Sequence, residues 1–334
     1  VEPEWTLHFR CDLLWDSHPL QRGRWNVTAA NNTLFVPQTF MAWTFQNVNS
    51  TVDETQSSKH NPAVPDVTVG ERITFHGRIT LMEGTVNSTA TIALPKSISS
   101  GRLHVISSRV VSIGSQITSP LLAVESSGLH IDSDSDGLLD VVIFPFGKLV
   151  NYGDNSFSVD TDTVLVEVIA EVSDRAGINI NAVPMTISSR YDFDNARFHT
   201  ALQQLDVVEP VLAQSLTLNV TTADAGDFVM FEQIIKHTTI SSATAFDLTT
   251  VDVFPDRLFL VAGSVTTNIS KAIVVSGNGA GDVVMRVNVS SLDVGEVLSV
   301  RYVARIHETV EPEWTLHFRC DLLWDSHPLQ RGRW

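Results

Sequence analysis

The chain has 334 residues, room for two or three domains, and at 43% hydrophobic residues it can build cores, which excludes wholesale disorder. Its 38 acidic residues against 22 basic ones leave a net charge of −16, so a nucleic-acid backbone or an anionic membrane surface meets repulsion. Within this segment no apolar run is long enough to span a bilayer, so membrane insertion is not expected of it.

The first 25 residues, VEPEWTLHFRCDLLWDSHPLQRGRW, return unchanged at 310–334, a period of 309 residues. Six of the seven Trp and both Cys lie in the two copies, so Cys11 and Cys320 are one repeat position seen twice. A single Cys per period has no partner in its own period. Leu7, Phe9, Cys11, Leu13 and Trp15 alternate onto one strand face, which suits a buried thiol acting as a small hydrophobe. A bond between units is the other reading. After the first copy comes a strand-like stretch, NVTAANNTLFV at 26–36; after the second copy the sequence given stops.

Alternation with period two dominates the rest and predicts strands. Ile73, Phe75, Gly77, Ile79 and Leu81 share one face over 73–81, and Val164, Val166, Val168, Ala170 and Val172 share one over 164–172. Residues 37–66 and 112–135 read as long loops of a first domain. Leu298, Val300, Tyr302, Ala304 and Ile306 form another face, and the turn HETVEPE then leads to Leu316, Phe318, Cys320, Leu322 and Trp324, which predicts an antiparallel hairpin. Gly, Pro, Asn and Asp punctuate these runs as in all-β sandwiches.

A weak internal repeat divides the chain. VGERITF (69–75) matches AGDFVMF (225–231), IALPKS (92–97) matches DVFPDR (252–257), and LDVVIF (139–144) matches GDVVMR (281–286). The join is expected at VVEP, 207–210. DVTVGERITFHGRITLMEGTVNSTATIALP, together with TADAGDFVMFEQIIKHT and GNGAGDVVMRVNVSSLDVGEVLSVRYVARI, resembles the immunoglobulin-like conserved repeat domains, the "domain of unknown function 11" type, of large secreted and surface proteins. The resemblance covers most of the chain. It implies an all-β fold of two immunoglobulin-like antiparallel β-sandwiches in tandem. It also implies that a final strand follows the segment TVEPEWTLHFRCDLLWDS. On that basis residues 1–36 are terminal strands of a preceding repeat or an inter-subunit strand segment. Residues 37–206 are a first domain, and 207–334 a second domain without its last strand.

Two constellations carry chemistry. In DSDSDGLLD, Asp132, Asp134, Asp136 and Asp140 with the backbone of Leu138 have the spacing of a loop that wraps oxygen ligands around a hard cation, calcium above all. Residue 143 is Ile where a helix-flanked calcium loop carries Glu, so this is no EF-hand. A solvated acidic turn fits the same letters. Asn-x-Ser/Thr occurs at Asn26, Asn31, Asn49, Asn87, Asn219, Asn268 and Asn288, each open to an N-linked glycan, Asn49 and Asn87 foremost. No nucleophile elbow, zinc-helix motif, phosphate loop or dinucleotide fingerprint is present, so no enzyme is expected.

These readings converge on a structural repeat of an extracellular or cell-surface fibril, glycosylated, its identical units joined head-to-tail. The joint is either covalent continuity or strand exchange. The alternative is a stalk or adhesin module whose first-domain loops bind glycans or protein ligands.

Overall fold

The computed structural model describes residues 42–50, 64–96, 101–154, 158–173, 184–194, 197–279, 282–311 and 313–328, and the backbone alone of 6–9, 12–16, 24–28, 32–35 and 331–333. Four short strands come first: β1 (Thr6–Phe9), β2 (Asp12–Asp16), β3 (Arg24–Thr28) and β4 (Asn32–Phe35). β2 pairs with β3 and β1 with β4, both antiparallel, as two two-stranded ladders.

The first sandwich has one sheet of β5 (Ala42–Ser50), β7 (Arg72–Thr80), β13 (Thr163–Val172) and β9 (Leu103–Ile113), in that order. Its other sheet runs β10 (Ile117–Thr118), β12 (Val141–Asn151), β8 (Gly84–Ala93), β14 (Pro184–Phe193), β15 (Arg197–Val207) and β6 (Asp66–Val67), with β11 (Leu129–Ile131) beside β12. A one-turn helix, α1 (Val159–Asp162), is capped by the Ser158 hydroxyl, which accepts from the Asp160 N–H. The second sandwich repeats the plan. One sheet is β16 (Leu212–Leu218), β17 (Phe228–His237), β23 (Val297–Ile306) and β19 (Leu258–Leu260), with β20 (Thr266–Thr267) also on β23. The facing sheet is β21 (Ala272–Ser276), β22 (Val284–Leu292), β18 (Ala245–Val253), β24 (Arg319–His327) and β25 (Arg331–Arg333).

Both sandwiches have the A-B-E-D and C-F-G order of the immunoglobulin fold, with β12 or β22 added at the free edge of the third strand. The alternation puts one side of each strand inside. Ile73, Phe75 and Ile79 on β7, and Val164, Val166 and Ala170 on β13, have no exposed surface. One core gathers residues between Trp43 and Val207, and a separate one gathers residues between Leu212 and Ile306.

Two expectations change. Residues 298–306 and 314–324 do not form a hairpin: β23 pairs with β17 on one side and β19 and β20 on the other, leaving no free edge. The chain instead crosses to the opposite sheet, where β24 begins at Arg319 and pairs with β18. The stretches read as loops also carry strands. Residues 42–50 form β5, which sends Trp43 and Phe45 into the first core, and β10 and β11 lie within 112–135.

Candidate functional site

The acidic loop is the turn of the β11–β12 hairpin, closed by Ile131 opposite Val141. Asp132 ties it together: its two carboxylate oxygens accept from the N–H groups of Asp136 at 3.2 Å and Gly137 at 2.8 Å. The Gly137 N–H, foremost, holds the Asp132 carboxyl below the ordinary carboxylate range. Asp136 accepts from the Leu138 N–H at 2.9 Å. Gly137 sits at φ 89°, the left-handed region that favours glycine.

The fold brings carboxylate oxygens of Asp132, Asp134 and Asp136 within 4.8 Å of one another. Asp140 is not in that group. It is buried and turns back, accepting from the Ser133 N–H at 3.1 Å and the Ser133 hydroxyl at 3.0 Å, with Lys96 Nζ at 3.7 Å. Like-charged carboxylates this close repel, and the molecule supplies its own counter-charge. The buried Arg102 guanidinium contacts Asp136 and lies 3.8 Å from Asp134. Lys96 and Arg102 face each other across an isolated antiparallel bridge, which presents both cations together. Sequence spacing identified the three carboxylates but not these cations, because their approach depends on a bridge formed some thirty residues away.

Asn49, Asn87, Asn219, Asn268 and Asn288 are all exposed. Asn26 lies in β3, and Asn31 falls outside the described residues. The Asn268 amide is engaged at both ends: its nitrogen donates to Val297 O at 2.8 Å and its oxygen accepts from the Ser299 N–H at 2.7 Å.

The duplicated segment forms a hairpin of the same register in both copies. Asp16 faces Arg24 between β2 and β3, and Asp325 faces Arg333, the equivalent pair, between β24 and β25. In the second copy Leu322 and Trp324 pack against the second core, and Phe318 meets Phe231 edge-on at 4.9 Å. Cys320 is a free, half-covered thiol, and burial pushes its pKa up. Trp314 remains half exposed.

The segment also reaches the junction between the sandwiches. The buried Glu209 carboxylate accepts from the Val69 N–H of the first sandwich at 2.9 Å and from the Ser326 hydroxyl of the second copy. Trp324 Nε1 donates to Pro210 O at 3.2 Å, and the Val211 N–H donates to the Ser241 hydroxyl at 2.9 Å.

No family model and no curated protein matches the chain. Among solved structures it is similar to the C-terminal domain of the antigen I/II polypeptide BspA of Streptococcus agalactiae, at TM-score 0.46 and 10% identity over 86% of this chain and 96% of that one. The C-terminal domain of the antigen I/II-family protein AspA of Streptococcus pyogenes gives TM-score 0.46 and 9% identity over the same shares, 86% and 96%. The collagen adhesin of S. aureus gives 0.24 and 12% over 84% and 87%. The strand pairings, rather than these likenesses, establish the immunoglobulin-like fold. Among the described residues no helix is long and apolar enough to cross a membrane.

Proposed function

We propose that the chain is a structural repeat unit of an extracellular or cell-surface filament, with units following one another head-to-tail. The observation that carries this reading is the shared hairpin register of the two copies. By position in the sheet, β24 corresponds to β14, and the strand after it corresponds to β15. In the first copy the strands that follow are β3 and β4, which pair with β2 and β1.

Chain direction supports the head-to-tail order. The first sandwich is entered at Ala42, beside Thr80, and left at Val207, beside Val67, at its opposite pole. The second is entered at Leu212, beside His237. A strand continuing from β25 along β24 runs toward Arg319 and Val253, the pole away from that entry. Entry and exit at opposite poles give a rod. The hydrogen bonds of Glu209 and Trp324 at the inner joint favour a fixed angle there.

Covalent continuity and strand exchange both place 26–36 on the edge of the second sandwich. The test is a chain extended beyond Trp334 by residues 26–36. The extension should raise the unfolding temperature of the second sandwich and leave the first unchanged, and a scrambled extension should not. No shift from the native extension would end the reading.

N-linked glycans at the exposed asparagines fit a secreted filament, with Asn49 and Asn87 as the leading positions. Intact mass of material from a glycosylating host, before and after deglycosylation, checks this; a mass equal to the bare chain would exclude it. Calcium on Asp132, Asp134 and Asp136 belongs to the same proposal, in competition with Arg102. Binding of glycans or protein ligands by loops of the first sandwich is the second reading; among its described residues no specific feature favours it.

A further inference from the structure

One layer of the second core is polar. Gln233 on β17 and Thr250 on β18 meet across the two sheets, both without exposed surface, and Gln233 Nε2 lies 2.6 Å from Thr250 Oγ1. The other end of the Gln233 amide, its carbonyl oxygen, is buried and has no hydrogen-bond partner among the described residues. A buried amide left half satisfied is an expensive way to fill a core. The fold does not demand it. The matching positions in the first sandwich are Gly77 and Ala90, and the space there belongs to an indole: a Cβ on Gly77 would lie 2.3 Å from Trp43 Cη2.

The neighbouring layer is polar too. Asp252, two residues beyond Thr250 on the same face, is buried and accepts from the Tyr302 hydroxyl at 2.5 Å. Burial, above all, raises the Asp252 carboxyl above its ordinary range.

We propose that Thr250 and Gln233 join in an intramolecular ester that stitches the two sheets of the second sandwich together. Thr250 Oγ1 attacks the side-chain carbonyl carbon of Gln233. A C–O bond forms, the C–N bond breaks, and the hydroxyl proton passes to the departing nitrogen beside it. Ammonia leaves and takes up a proton from water at neutral pH. No oxidant, reductant or second reactant is needed. Two groups held in contact in a rigid core react as if at very high local concentration, on the order of 10⁵ M or more in well-aligned cases. The same burial then keeps water from the ester. The inference stands apart from the filament reading and survives its failure.

Intact mass of the full chain made in a non-glycosylating host decides it. The expected mass is about 17 Da below that of the sequence, the loss of one ammonia. Trypsin should release residues 198–236 and 237–257 joined through Gln233 and Thr250, which separates the ester from ammonia loss at an asparagine. Thr250→Val should restore the full mass, and Thr250→Ser should keep the loss. A wild-type chain, folded by circular dichroism and held at neutral pH for days, that retains its full mass would overturn the proposal whatever the variants do. So would a deficit that maps elsewhere.

Discussion

The two sandwiches share one strand order and fill it differently. The first uses an aromatic centre: Trp43 lies over Gly77, stacks with Tyr191 at 6.1 Å between centroids and donates to the Ser189 hydroxyl at 2.9 Å. The second has Gln233, Thr250, Asp252 and Tyr302 in the corresponding layers. The lesson is that the strand frame constrains which side of a strand is inside, and leaves the chemistry of the inside free. Ring packing gives a core that fails by losing volume. A polar layer gives one that fails by losing partners.

The largest expected effect breaks the first core alone. Trp43→Ala removes a large buried ring over a glycine that cannot fill the space, a loss of about 3–5 kcal/mol. In urea, the first sandwich should unfold much earlier while the second keeps its midpoint. Equal loss in both would mean that they are one cooperative unit.

Next comes the junction. Glu209→Ala leaves the Val69 N–H and the Ser326 hydroxyl without their shared acceptor, about 1–3 kcal/mol for a buried group so stranded. Small-angle scattering should show the two sandwiches bending relative to each other. An unchanged profile would remove Glu209 as the clamp.

A pH series sharpens the comparison further. Burial holds the His237 imidazole below its ordinary pKa, with its nitrogens paired to the Ser241 hydroxyl and Leu292 O. The neutral ring is the native form. Its contribution is therefore full above about pH 6.5 and is lost as pH falls from there through the lower folded value. His237→Gln should flatten that part of the second sandwich's profile. The first keeps its own slope from His130, whose pKa burial also lowers.

The smallest effect concerns calcium. Arg102 already neutralises part of the acidic loop, so calorimetry should show weak binding in the native chain and about tenfold tighter binding in Arg102→Gln, a gain of about 1.4 kcal/mol. No heat in either protein would exclude calcium from Asp132, Asp134 and Asp136.

Alternation made the buried faces legible: Ile73 to Leu81 and Val164 to Val172 lie inside as their spacing requires. The acidic trio was legible because a turn brings near neighbours together. Its counter-ions were not, since Lys96 and Arg102 come from a bridge some thirty residues before the acidic loop. The crossing at 307–318 was hidden because sequence shows the turn letters of HETVEPE but not that both edges of β23 are taken. Gln233 and Thr250 were missed for a related reason. Polar letters within a strand read as outward, and only the facing sheet reveals that they point inward at each other.

In the proposed filament each period enters at one pole and leaves at the other. Strands of ten or eleven residues at about 3.3 Å each make two sandwiches end to end about 70 Å long. Negative-stain microscopy of chains carrying one, two and three periods measures this directly. The account predicts straight rods that lengthen by about 70–80 Å with each added period. Compact particles, or flexibly tethered units with no fixed spacing, would contradict it.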